Sequence, residues 1–130
     1  MKKRRGIWFV CLLLFGCHAA PSASEQAARN FVDAYYVQIN LPQALSFSDG
    51  LAANKIQTSV DLTKGVPPQE GDLRPKVSFK MIKKENDDLG ERYLFELSIK
   101  PKNFSEITRQ TVVRVRQTEA GWKVTQFSDT

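Results

Sequence analysis

The sequence predicts an α+β domain, with two N-terminal helices packed on a four-stranded antiparallel meander. Three observations carry this. Apolar residues in the first half recur at helical spacing. From Val77 onward the period changes to two. Short, turn-rich segments separate the later runs, which makes successive strands antiparallel neighbours. At 130 residues the chain is sized for one domain.

The chain opens on a segment that is not part of that domain. Lys2, Lys3, Arg4 and Arg5 precede an unbroken apolar run from Ile7 to Phe15. Nine residues at about 1.5 Å each cover less than half of a ~30 Å hydrocarbon core, so the run suits a secretory signal peptide and is too short to span. Leu14-Phe15-Gly16-Cys17 then resembles a bacterial lipobox, an aliphatic and a small residue before a cysteine. The resemblance implies residues 1–16 as signal peptide, cleavage between Gly16 and Cys17, and lipid attachment at Cys17. Two or more acyl chains, palmitate among them, anchor stably where one does not. The alternative is ordinary secretion, with cleavage after Ala20 or Ala23 and loss of Cys17. Residues 17–24 read as lipidated cysteine and tether, and 25–130 as the domain. In diderm lipoproteins an aspartate after the cysteine retains the protein in the inner membrane. His18 stands there instead, which favours the outer membrane, on its periplasmic side.

The leader also explains the charge. The chain carries 19 Lys+Arg against 14 Asp+Glu, a net of +5. Without residues 1–16 the basic count is 15 (19 less the leader's four) against 14, a net of +1. A nearly neutral domain has no electrostatic reason to bind nucleic acid. His18 is the single histidine, and Cys11 and Cys17 are the two cysteines. The folded part therefore has no Ser–His–Asp triad, no thiol nucleophile, no imidazole or thiolate zinc site and no internal disulfide. No cofactor is expected.

Ser22-Ala23-Ser24-Glu25 reads as a capping box opening the first helix. Ala28, Phe31, Val32, Tyr35 and Ile39 form its apolar face, and Arg29, Asn30, Asp33 and Gln38 the polar one. Asn40-Leu41-Pro42 ends it, with Pro42 suited to the first turn of the next helix. The second helical stretch runs from Pro42 to about Leu62 through Ala44, Leu45, Ala52, Ile56 and Val60. Asp49-Gly50 marks a break, with Ser48 or Asp49 capping the helix after it. Lys64–Lys76 holds two glycines and three prolines and reads as a loop, at this length either mobile or functional.

In the first strand Val77, Phe79 and Met81 alternate with Ser78 and Lys80. Asn86-Asp87-Asp88-Leu89-Gly90 turns the chain; the aspartates suit a turn better than a fragment of a calcium loop. Tyr93, Phe95, Leu97 and Ile99 make the cleanest alternation. Pro101 to Ser105 turns again, and Ile107–Gln117 comes next with Thr111, Val113 and Val115 on one face. Glu119-Ala120-Gly121 leads into Trp122–Ser128, with Trp122 and Val124 facing one way. The other sheet face alternates Lys, Arg, Glu, Ser and Thr and is expected to be wet. Arg109, Arg114, Arg116, Lys123, Lys80, Lys83 and Lys84 would make a basic stripe there, but interleaved glutamates favour a solvated face.

The first helix, Ala27-Ala28-Arg29-Asn30-Phe31-Val32-Asp33-Ala34-Tyr35-Tyr36, and the hairpin Thr111–Val115 followed by Gly121-Trp122-Lys123-Val124 resemble the cystatin-like superfold. Within it they are similar to the nuclear-transport-factor-two-like domains of small bacterial lipoproteins. The resemblance implies a curved sheet around a long helix and a cone-shaped cavity, with Tyr35, Tyr93 and Trp122 as candidate pocket residues. The fold hosts many functions. The expectation is a lipid-anchored cell-envelope protein whose domain binds an envelope protein or a small apolar ligand without catalysis. One alternative is a small enzyme pairing a pocket aspartate (Asp33 or Asp49) with Tyr35, Tyr36 or Tyr93. Another is an accessory subunit of an envelope complex, with the Lys64–Lys76 loop or a sheet edge as contact.

Overall fold

The computed structural model describes residues 20–67 and 74–130. Residues 1–19, which include the expected leader and Cys17, and 68–73 in the middle of the Lys64–Lys76 loop lie outside the described residues. The elements run α1 (Ala23–Val32), a π-helical turn (Asp33–Val37), α2 (Leu41–Ser46), α3 (Gly50–Leu62), then β1 (Lys76–Asp87), β2 (Gly90–Lys100), β3 (Ile107–Thr118) and β4 (Gly121–Asp129). The strands form one antiparallel sheet in the order β1-β2-β3-β4, the meander the sequence predicts. Helices cover one face: α1 packs on β2, β3 and β4, and α3 on β4.

Ser22 caps α1, accepting from Glu25 N at 3.2 Å. The expected reciprocal half of the capping box is not the bond made. The Glu25 carboxylate takes Arg29 Nε at 2.8 Å instead, an (i, i+4) pair along the helix. The second helical stretch is broken at Asp49, whose side chain accepts from Gly50 N at 2.8 Å. Pro42 sits in the first turn of α2, and Asn40 caps that helix by accepting from Gln43 N at 3.1 Å.

Ile39 departs from its expected place on the core face, being 48% exposed. The cause is the π turn. Gln38 N reaches back five residues to Asp33 O (2.9 Å), and Ile39 then takes φ 52. The wider turn lets Tyr35 and Tyr36 both pack against the core, and the left-handed residue swings Ile39 outward.

Two β-bulges re-aim side chains. Between Met81 and Lys83 the register with β2 shifts, and Ile82 becomes 46% exposed. Between Arg114 and Val115 the register with β4 shifts, so Val124 and Phe127 both face inward although they are three positions apart. Phe127 thereby enters the core against Phe31 (ring centroids 4.9 Å) and Tyr35 (4.8 Å). The rest of the core is Ala28, Phe31, Val32, Ala44, Ala52, Ile56, Tyr93, Phe95, Leu97, Val113, Val115 and Val124, with Ala34 from the π turn.

The two sheet edges differ. The α2–α3 junction lies along β4, with Asp49 N donating to Val124 O (2.8 Å) and Val124 N to Phe47 O (2.9 Å). On the opposite edge, β1 is paired with β2 alone among the described residues. The β1–β2 turn depends on Gly90 (φ 126): a Cβ there would lie 2.5 Å from Val115 O.

Candidate functional site

The most connected polar group is buried where α1 begins. Ser24 falls one helical turn before Ala28 and so shares the core-facing side of α1. Glu91 and Tyr93 share the inward face of β2, two residues apart. The three meet. Ser24 Oγ donates to Glu91 Oε2, Tyr93 OH donates to the same oxygen at 2.7 Å, and the two hydroxyls lie 2.7 Å apart. Lys84 Nζ approaches Glu91 Oε2 at 3.6 Å and sits 5.5 Å from the Tyr93 ring centroid.

The electrostatics arise from these contacts. Partial burial opposes the charge on Glu91. Hydrogen bonds from Ser24 and Tyr93 and the nearby Lys84 outweigh it and hold the carboxyl below its ordinary range. The Tyr93 hydroxyl, and after it Glu91, hold the Lys84 ammonium above the usual lysine value. Chemically this is an ionised carboxylate saturated by its neighbours. Ser24 is 2% exposed and Tyr93 0%, so no substrate reaches either hydroxyl. The arrangement ties the start of α1 to the start of β2.

A second hydroxyl–carboxylate pair involves Tyr36, whose OH donates to Asp129 Oδ1 and lies 2.9 Å from Thr111 Oγ1. Burial, and then the Asp129 carboxylate, push the Tyr36 phenol far above its ordinary value, which keeps it protonated. Tyr35 is raised as well, by burial and then by Asp129.

The candidate residues separate. Tyr35 joins an aromatic group with Phe31, Tyr36 and Phe127. Tyr93 belongs to the Ser24–Glu91 network, and Trp122 packs on the core beside the β3–β4 turn, opposite Gln117. None of the three lines the hollow on the outward sheet face or those at the Lys100 end of β2. Asp33 accepts from Gln38 on the outside of the π turn, and Asp49 is occupied as a helix cap. Neither meets a candidate tyrosine. The tyrosines' actual acidic partners, Glu91 and Asp129, were not singled out for that role from the sequence. Glu91 carried a signal, since it has the inward parity of Tyr93 in a clean strand. Asp129 carried none, because the bulge in β4 resets parity before it. Cys17 and Gly16 lie outside the described residues.

The outward sheet face is ion-paired. Lys80 meets Glu96 (3.0 Å), Lys83 meets Glu85, Arg92 meets Glu85 (3.4 Å) and Arg114 meets Asp87. Arg109 falls on the inward face, paired across from Leu97. A shallow hollow of about 140 Å³ on the outward face is lined by Lys83, Glu85, Arg92, Leu94 and Val112. Asn86-Asp87-Asp88 forms the turn, with Asp87 Oδ1 accepting from Leu89 N at 2.9 Å.

No protein-family model matches this sequence, and no curated protein matches it significantly. Among solved structures, the Agrobacterium tumefaciens VirB8 protein is similar over 86% of this chain and 95% of its own, with a TM-score of 0.56 and 11% identity. The intermembrane space region of the chloroplast protein ARC6 aligns over 85% of this chain and 98% of its own, at TM-score 0.40 and 15% identity. The likeness to VirB8 shows the fold alone: helices followed by a four-stranded antiparallel sheet. No helix among the described residues is long and apolar enough to cross a membrane.

Proposed function

We propose that this chain is a lipid-anchored cell-envelope protein, held at the periplasmic side of a membrane through Cys17, whose domain serves as a non-catalytic interaction module. One observation carries the second half of the reading. The space between helices and sheet is filled by Phe31, Tyr93, Phe95 and Phe127, each 0–5% exposed, and the hydroxyls that reach it are paired among themselves and with Glu91. A fold of this type accommodates a small molecule by leaving that space open. Here the polar groups suited to acid–base work are spent on packing the chain, so contact with partners falls to the surface. The fold shared with VirB8 is a shared scaffold and supplies no ligand.

The anchor rests on Leu14-Phe15-Gly16-Cys17 and is tested by Cys17→Ser in the full chain. The wild type is expected to incorporate labelled palmitate and partition into detergent, and the variant to lose both. A variant that still partitions and keeps the mobility of an acylated protein would sink the anchor. A turnover assay is not needed to test the module. Detection of a small apolar ligand co-purifying with the full chain, displaced by Tyr35→Trp, would show the core to be open instead.

A further inference from the structure

Leu51 and Leu89 are large apolar side chains left outside the core, 68% and 58% exposed. They come from different elements. Leu51 stands in the first turn of α3, and Leu89 in the β1–β2 turn, where polar residues are the usual choice. Both line one hollow of about 500 Å³, together with Arg114, Arg116, Thr118 and Gln126. The hollow lies on the outward sheet face, because Arg114 and Arg116 alternate with the buried Val113 and Val115. The Arg116 stem crosses Gly90, where an added Cβ would lie 2.8 Å from Arg116 Cγ, so this side chain sits beside the β1–β2 turn. The two arginines differ. Arg114 meets Asp87, while Arg116 is exposed and has no ion-pair partner among the described residues. Asp49 also borders the hollow but is occupied in capping Gly50 N, and Asp88 does not line it. One free guanidinium thus stands beside two leucines.

The course of α1 shows which way this surface points. Its first turn is held at the start of β2 through Ser24 and Glu91. Tyr36, in the π turn that follows it, reaches Thr111 and Asp129, where β4 ends. The chain therefore enters the fold at the end that carries the β1–β2 and β3–β4 turns, and runs away from it. Leu89 is two positions from Glu91, and Arg116 follows Val115, which pairs with Glu91 across the ladder. Five residue steps from Cys17 to Ser22 reach at most ~18 Å. A lipid on Cys17 holds this end of the domain beside the bilayer, and the hollow with it.

We propose that the Leu51–Leu89–Arg116 surface docks onto the membrane that holds the anchor, with the two leucines in the boundary between headgroups and acyl chains and the Arg116 guanidinium on a lipid phosphate. This deepens, and rests on, the reading of Cys17 as a lipid attachment site. Exposed leucines gain by leaving water at that boundary, and a guanidinium offers a phosphate paired N–H donors. Each contact is weak alone. The acyl chains on Cys17 keep the surface at high effective concentration over the bilayer, so docking acts as a second point of attachment. It sets the orientation of the domain. Lys100, at the other end of β2, is then directed into the compartment, up to about 30 Å further from the bilayer than Gly90.

The test uses the acylated chain in phosphatidylethanolamine–phosphatidylglycerol vesicles containing a phospholipid brominated in its upper acyl chain. With the leader removed and Cys17 acylated, a cysteine introduced at Ala120 in the β3–β4 turn, or at Ser105 in the β2–β3 turn, takes a single fluorophore. The Ala120→Cys label should be quenched at least about twofold more than the Ser105→Cys label. Leu51→Ser combined with Leu89→Ser should remove most of that excess. Arg116→Gln, which keeps the stem over Gly90, should remove about half of it. Lys76→Gln, at the opposite end, should leave it unchanged. All four positions are exposed, so the melting temperature should stay within about 1–2 °C of the wild type. Equal quenching of the two labels, or an excess that survives the paired leucine substitutions, overturns the proposal. So does a dimer in detergent that those substitutions dissociate, seen by sedimentation, which would assign the leucines to a second copy of the chain. Flotation with the vesicles separates this proposal from the anchor it rests on. A chain that does not float loses both, whereas one that floats with both labels equally quenched loses the docking alone.

Discussion

Where α1 begins, two hydroxyls and a lysine converge on one carboxylate, whereas at the opposite end of the same strands four cations share a groove and two of them face each other directly. The first region spends its polar side chains on one another. It gains a fixed junction between helix and sheet and loses access for any ligand. The second leaves the repulsion between Lys76 and Lys100 in place, and Phe104 in the turn after β2 is exposed. Both regions are built from β1 and β2, so strand composition does not separate them. The difference lies in what each charged residue finds across the ladder: the first end compensates its carboxylate with hydroxyls and a lysine, while the second leaves two lysines opposed.

This contrast can be broken at the closed end first. Tyr93→Ala removes a fully buried ring and leaves Ser24 with one hydroxyl partner fewer; it should cost about 3–5 kcal/mol in urea unfolding. A loss near zero would mean that the junction is not what holds α1. Glu91→Gln tests the charge and should cost about 1–3 kcal/mol at neutral pH. It should also change the acid limb. The folded-state pKa of Glu91 lies below its ordinary 4.5, so its charged form stabilises the fold above that value, and the contribution is lost as pH falls through the depressed folded-state value. The wild type should therefore lose stability below about pH 4.5 more steeply than Glu91→Gln, as monitored by circular dichroism. The open end should give the smallest effect. Phe104→Ala, which removes a ring that is 77% exposed, should change unfolding stability by no more than about 0.5 kcal/mol. A large destabilisation there would make Phe104 a packing residue and erase the distinction between the ends.

Much of the architecture was legible in the sequence because periodicity is a local signal. Tyr93, Phe95 and Leu97 alternate as a half-buried strand must, and all three are buried. Asp49-Gly50 announced the break between α2 and α3 through the capping chemistry of aspartate. The legible part stopped where one residue is inserted into a regular repeat. The π turn at Asp33–Val37 moved Ile39 off the core, and the bulge before Val115 brought Phe127 into it. Such insertions leave a local sequence looking ordinary, because their gain comes from residues that arrive from elsewhere. Tyr93 has the inward parity that strand alternation predicts, but its partners Ser24 and Glu91 come from positions 69 and two residues away, and only the packing of α1 on β2 unites them.

The sequence by itself determined the order of elements, the meander, the near-neutral charge of residues 17–130 and the absence of histidine and cysteine chemistry beyond residue 18. Each of these is a property of composition or of neighbours along the chain. Register belongs to the tertiary structure. That Lys76 faces Lys100 while Lys80 faces Glu96 depends on how β1 and β2 are aligned, and the one-residue bulge after Met81 alters the pairing beyond it. Electrostatic energy falls off with distance between side chains, whatever their separation in sequence. The same set of charges therefore makes a closed, saturated network at one end of the sheet and a groove with two opposed lysines at the other.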